Sequence, residues 1–285
     1  MSGWVREVST TSNHPPAARR RSGVVTALVA LVVIASSCSS SSHKSQSSID
    51  GPGPEKLPTL PGPTAPPSPA VPGTPEAQLQ FISGVFNDIQ NTWSNAFRQS
   101  RLPYTPATLR TFTSTVGTSC GVQSSEVGPF YCPADKTVNL DLRFFTLLWQ
   151  QTGAGGDFAE AYVVAHEMGH HIQSVLGISS RVAAADQQNP AGANALSVRV
   201  ELQADCLAGV WAHTTYTRSL LQPGDLEQAL GAAAVVGDDF IQQMSGGQVE
   251  PDSWTHGSSA QRQRWLTVGF DSGSPNACDT FSGNI

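Results

Sequence analysis

The stretch His166-Glu167-Met168-Gly169-His170-His171 decides how the rest of the chain is read. It sets H-E-x-x-H inside an apolar segment, Phe158 to Gly177, in which Phe158, Tyr162, Ala165, Met168, Ile172 and Val175 recur every three or four residues. That period predicts one helix with a core-facing side. Asp157 is expected to cap its start, and Gly177 to take the left-handed position beyond its end. Four residues apart, His166 and His170 stand one above the other on one helical face and can reach the same metal ion. Glu167 projects roughly 100° away from His166, near enough to hold a water beside that metal. Zinc with two His ligands, one further protein ligand and a position left for water is a hydrolytic site. The plainer reading, a histidine cluster satisfied by backbone groups, leaves two imidazoles and a carboxylate on a buried helix at a cost.

A third ligand is expected downstream, and Glu201 is the best candidate. Residues 196 to 213 again have a helical pattern and carry Glu201-Leu-Gln-Ala-Asp205, with the two carboxylates four apart on one face. Glu201 can then bind the metal while Asp205 accepts a hydrogen bond from the distal nitrogen of a ligating His, which fixes its tautomer. Asp205 itself, His213, His171 and His256 compete for the ligand role. His171 points about 100° away from its neighbour His170, which sets it aside. A solvated acidic pair is the bland alternative for Glu201 and Asp205.

Cys120-Gly121, Gly128-Pro-Phe-Tyr-Cys-Pro133, Gly156-Asp-Phe-Ala159, Ala161-Tyr-Val163, His166 to His171 and Glu201-Leu-Gln-Ala-Asp-Cys206 occur in this order. They are followed by Ala208-Gly-Val-Trp211, Gly237-Asp-Asp239, Thr255-His-Gly257 and Cys278-Asp-Thr-Phe281. Together they resemble the neutral zinc metallopeptidase family of bacterial membrane-associated proteins, over nearly all of residues 76–285. The resemblance implies a zincin-type fold with His166, His170 and Glu201 on one zinc per chain and Glu167 as the base. It supplies no substrate beyond a peptide or protein.

The chemistry expected of such a site is hydrolysis. Zinc makes a water nucleophilic near neutral pH, and Glu167 would take its proton and pass it to the leaving amine. The developing oxyanion needs a further donor. His256 is the catalytic candidate, with Arg262 a second choice; an ordinary loop role for His256 stands equally open. Asp238 and Asp239, after Gly237, fit capping better than catalysis. Phe130-Tyr-Cys132 and Thr137 to Leu142 read as two strands joined by Pro133-Ala-Asp-Lys136. The second alternates Val138, Leu140 and Leu142 with Asn139 and Asp141, as in a half-buried strand, and could offer its backbone to a peptide by strand addition.

The N-terminal quarter concerns location. Arg19-Arg-Arg21 precedes a short apolar run, Val24 to Ala35, and small residues up to Cys38. Residues 1–38 therefore read as a secretory or lipoprotein signal, too short in its apolar core to span a membrane comfortably. Ile34-Ala-Ser-Ser-Cys38 resembles a permissive lipobox with Cys38 as the lipidated residue, and a retained anchor is the alternative. Both place the remainder at the membrane on the extracytoplasmic side. Residues 39–75 hold ten of the twenty prolines and can form no core, so they read as a disordered spacer. Order is expected to resume at Thr74-Pro75, an N-cap and first helical residue, followed by a stripe of Ile82, Phe86, Ile89, Trp93 and Phe97.

Residues 76–285 suit one domain with a sizeable core. They carry ten Arg and Lys against nineteen Asp and Glu, so a nucleic-acid partner is not expected. Four cysteines other than Cys38 allow three pairings, of which Cys120 with Cys132 and Cys206 with Cys278 is favoured. The second bridge would brace the Glu201 helix. Asp225-Leu-Glu-Gln228 and Ser258-Ser-Ala-Gln261 resemble capping boxes opening helices 226–236 and 259–268. The fold class is thus α+β, helix-dominated with a small sheet. Two rivals share the metal chemistry: a metal-stabilised envelope binding lipoprotein without turnover, and an amidohydrolase of cell-wall linkages.

Overall fold

A computed structural model describes residues 74–285. The expected signal, its expected lipidation site Cys38 and the spacer up to residue 73 lie outside the described residues. Thr74 accepts the N–H of Ala77 on its hydroxyl at 3.2 Å, and α1 (Pro75–Gln99) follows with Pro75 in its first turn. The predicted stripe of Ile82, Phe86, Ile89, Trp93 and Phe97 is buried. Among the described residues no helix is long and apolar enough to cross a membrane.

Five short strands come next: β1 (Thr108–Phe112), β2 (Thr115–Thr118), β3 (Gly121–Ser124), β4 (Phe130–Cys132) and β5 (Thr137–Asp141). β2 and β3 form a separate antiparallel hairpin. The main sheet has the order β1-β5-β4, with β5 parallel to β1 and antiparallel to β4. This corrects the expected role of β5. Both its edges are paired and every residue in it is buried, Asn139 and Asp141 included, so it is not half-buried and cannot add a substrate strand. Asp141 is instead structural: its carboxylate accepts the backbone N–H of Arg143 at 3.0 Å at the start of α2 (Arg143–Thr152) and the Ser125 hydroxyl. The edge strands of the sheet are β1 and β4, and of the two β4 packs on α3.

The rest is helical: α3 (Asp157–Val175), α4 (Ile178–Gln188), α5 (Ala193–Thr217), α6 (Asp225–Val235), α7 (Asp238–Met244) and α8 (Ser259–Ser272). α3 runs through the middle, packed by α1, α5 and α6 and touched by β4. Its start differs from expectation. Gly156 (φ 118°) occupies the cap position and Asp157 is already helical, because the orphan N–H of Phe158 is taken at 3.0 Å by Gln228 Oε1 from α6. The same bond removes the capping box expected at Asp225: Gly224 precedes α6, and Gln228 is turned toward α3. The Ser258–Gln261 box is present and opens α8. Gly177 adopts φ 70° as expected.

Gly169 sits between the two motif histidines for a steric reason. A Cβ there would lie 2.9 Å from the Cα and carbonyl oxygen of Ala204, so only glycine lets α3 press its backbone onto α5. Gly209 and Gly269 do the same for α5 against α8, where added Cβ atoms would strike the carbonyl oxygens of Leu266 and Cys206. Both favoured disulfides form. Cys120–Cys132 ties the hairpin to β4, and Cys206–Cys278 ties the C-terminal tail to α5.

One buried carboxyl lies at the α1–α3 seam. Glu160, 6% exposed, accepts the Gln78 side-chain amide at 2.7 Å, and its second oxygen has no protein partner. Burial pushes its pKa up to about 7, opposed by the Gln78 hydrogen bond. The folded state therefore keeps a proton that the unfolded chain releases. Stability from this group is complete below the ordinary carboxyl range and is lost as pH rises toward 7. Glu160→Gln should raise the melting temperature at pH 8, by up to about 3 kcal/mol of stability, and leave it near wild type at pH 4. Equal shifts at both pH values in thermal denaturation would reject this assignment.

Candidate metal centre

α3 and α5 cross where Gly169 meets Ala204, and this crossing assembles the site. His166 and His170 rise from α3 with ring centroids 4.8 Å apart. Glu201 reaches across from α5, its Oε2 3.1 Å from His166 Nε2 and its Oε1 3.4 Å from His170 Nε2. Two nitrogens and an oxygen about 2.0–2.1 Å from one tetrahedral zinc lie roughly 3.3 Å from each other, and the two nitrogen–carboxylate distances, each to a different Glu201 oxygen, are close to that. His166, His170 and Glu201 could thus hold one metal ion. Their side chains are 9%, 19% and 16% exposed, buried enough to be fixed and open enough to admit water.

The second nitrogen of each imidazole is already committed. His166 Nδ1 lies 2.8 Å from Asp205 Oδ1, so its N–H donates there, and Nε2, turned toward Glu201, is the atom left to take a proton or a metal ion. Asp205 has no exposed surface. It also accepts from the Tyr162 hydroxyl at 2.6 Å and from Arg262 Nε and Nη2 at 2.8 and 2.9 Å. The structure therefore puts Asp205 behind His166, as expected, and puts Arg262 behind Asp205. The Arg262 guanidinium is 3% exposed, lies at the cleft lining and also donates to the Val236 carbonyl. His170 Nδ1 is 2.9 Å from Gln173 Oε1. Sequence reasoning passed over Gln173, although a ligating His needs an acceptor on its other nitrogen and position i+3 of the same helix can supply one.

The charges suit a bound cation. Burial would lower the His166 pKa, but the charge and hydrogen bond of Asp205, with the hydrogen bond to Glu201, push it up to about 10. Burial opposes the ionised Glu201 as well, yet the two histidines hold it well below the carboxylate range. Asp205 is likewise kept low against burial, by Arg262 first and then by His166. Glu167 goes the other way: burial raises its pKa in spite of the attraction of His166 and His170.

Above these residues opens a cleft of about 630 Å³. Glu167 lines it beside the three ligands, Phe130 and Tyr131 of β4 form one wall, and His256 and Ile241 also face it. His256 is half exposed, with Nδ1 3.1 Å from Asp238 Oδ1. Asp238 Oδ2 also accepts the backbone N–H groups of Thr255, His256 and Gly257 at 2.8, 2.6 and 2.9 Å, and Asp239 accepts that of Ser259 at 2.7 Å. Both aspartates thus hold the loop that carries His256. His171 stays away from the metal side. Fully buried, it lies 2.8 Å from the Thr105 carbonyl through Nε2 and 3.0 Å from the Tyr131 hydroxyl through Nδ1, pinning β4 to α3. His213 is also elsewhere, on the Phe270 carbonyl.

Comparison with known proteins agrees with this geometry. A family model described as "Putative neutral zinc metallopeptidase" matches residues 20–281. The uncharacterized protein YpfJ of Escherichia coli (strain K12) is 47% identical over 207 residues, 72% of each chain. The uncharacterized protein Rv2575 of Mycobacterium tuberculosis (strain ATCC 25618 / H37Rv) is 53% identical over 190 residues, 63% of this chain and 64% of that one. No solved structure matches the chain.

Proposed function

This chain belongs to the neutral zinc metallopeptidase family, and we propose that it is a zinc-dependent endopeptidase of zincin type working on the outer side of the cell membrane. The observation that carries the reading is the convergence of His166, His170 and Glu201 with a free-standing base, Glu167, in one open cleft. A binding lipoprotein needs the ligands alone. Zinc, when bound, supplies Lewis-acid polarisation of a carbonyl and a water acidic enough to attack it. Glu167 takes the proton from the attacking water and delivers it to the departing amine nitrogen. Asp205, with Arg262 and Tyr162, keeps His166 in the tautomer that presents Nε2.

The substrate backbone is proposed to lie along β4, the sheet edge that His171 fixes beside the ligands, by strand addition. This moves the alignment role from β5 to the edge strand that lines the cleft. His256 faces the cleft and is proposed to steady the oxyanion. With Nδ1–H directed at Asp238, it donates through Nε2 only as the imidazolium. Placement outside the membrane is supported by the two disulfides and by the signal-like residues 1–38.

The test is metal removal. Full-length protein is stripped by a chelator and offered a mixture of internally quenched peptides, with products mapped by mass spectrometry. Internal peptide cleavage should vanish on stripping and return with one equivalent of zinc. Zinc-loaded protein that cuts no peptide but opens cell-wall amide linkages would replace the peptidase with an amidohydrolase. Zinc-loaded protein that cuts neither would leave a binding role.

A further inference from the structure

The second metal-site histidine is oriented by a chain of two glutamine amides that ends on the disulfide-tied tail. Gln173, with no exposed surface, sends its Nε2 2.7 Å to the backbone carbonyl of Val200 and 3.1 Å to Gln203 Oε1. Gln203 in turn sends Nε2 2.9 Å to the carbonyl of Cys278. A backbone carbonyl can only accept, so it fixes which end of an amide faces it. The Cys278 carbonyl turns the Gln203 NH2 toward itself and leaves Gln203 Oε1 toward Gln173. That oxygen and the Val200 carbonyl then both demand the Gln173 NH2, which leaves Gln173 Oε1 pointing at His170. Facing an acceptor, His170 Nδ1 must carry a proton there, and Nε2, the atom 3.4 Å from Glu201, is left for the metal.

We propose that Gln173 is the positioning residue for His170, and that Gln203 and the tail residue Cys278 hold it in the flip that presents Nε2 to the metal. The two ligands are thus oriented by different means: His166 by an anion, His170 by a neutral amide whose polarity is set by backbone. The tail is well placed for this duty. The Cys206–Cys278 bridge anchors it to α5, and the Thr280 hydroxyl donates to the Arg199 carbonyl at 2.6 Å, two residues before Glu201. The inference rests on the metal-centre reading above, and deepens it.

Zinc affinity of the full chain, measured by competition with a chromophoric chelator, tests it, together with the visible spectrum of the cobalt(II) form. Gln173→Leu keeps the bulk and removes the acceptor. It should weaken zinc binding about 10–100-fold and alter the cobalt spectrum. Should Gln173→Leu fail to fold, Gln203→Leu, which removes one of the two groups fixing the flip, should weaken zinc binding by a smaller factor. Wild-type affinity and spectrum in Gln173→Leu would overturn the proposal. So would weakened zinc binding in Gln173→Leu with an unchanged cobalt(II) spectrum, which would mean that packing and not the orientation of His170 matters. Absence of zinc binding by the wild-type chain would sink the metal-centre reading itself, a separate outcome.

Discussion

Glu167→Gln is expected to keep one zinc per chain and to lower peptide hydrolysis by about 10²–10⁴-fold, the usual contribution of a positioned general base. The expectation follows from where Glu167 stands. It lies on α3 one residue after His166, turned out of the ligand set and into the cleft, so removing its charge takes away no metal bond. Burial raises the pKa of its carboxyl, which makes proton uptake from water less unfavourable than at an exposed carboxylate. Gln is nearly isosteric and cannot accept that proton. Metal content and turnover must be read on the same sample: a variant that retains zinc and cuts peptide within about tenfold of wild type would take Glu167 out of the mechanism.

The second large effect is on the metal. Glu201→Gln should weaken zinc by more than about 100-fold, beyond the roughly 10–100-fold cost of losing an outer partner. Glu201 is the only carboxylate among the three proposed ligands, and it is held ionised between two imidazoles against the cost of burial. A neutral amide oxygen in its place removes the attraction for a divalent ion and leaves His166 and His170 facing each other without an anion. Equilibrium dialysis against zinc buffers measures this directly. Affinity within a factor of about ten of wild type would mean that another group completes the site.

Much of this centre could be read from the sequence because its parts lie on regular helices. Spacing alone put His166 above His170, and Glu201 one turn before Asp205, and the burial of α1 followed from its aromatic stripe. Cysteine pairing was legible too, since four residues allow few choices. What escaped was non-local. The pairing of β1 with β5 joins residues 108–112 to 137–141 in parallel, and nothing in either short segment announces the partner. Hence the alternation in β5 suggests an open strand although β1 covers it. The capping errors have the same root: Gln228 looked like a local box residue and instead serves the start of α3, 70 positions away in sequence. α2 and α4 gave short patterns that no motif marked. Gln173 was hidden differently. An amide on a buried helix carries no signal until one asks which group accepts the second proton of His170.

Hydrolysis at this centre requires the metal. The most direct measurement is zinc content with zinc K-edge absorption on gently purified full-length protein. One zinc per chain, coordinated only by nitrogen and oxygen with an imidazole signature, is the predicted result. A metal-free protein that takes up no zinc, or a zinc bound through sulfur, would contradict it, because both cysteine pairs are closed as disulfides and no other described His, Cys, Asp or Glu residues converge as these three do.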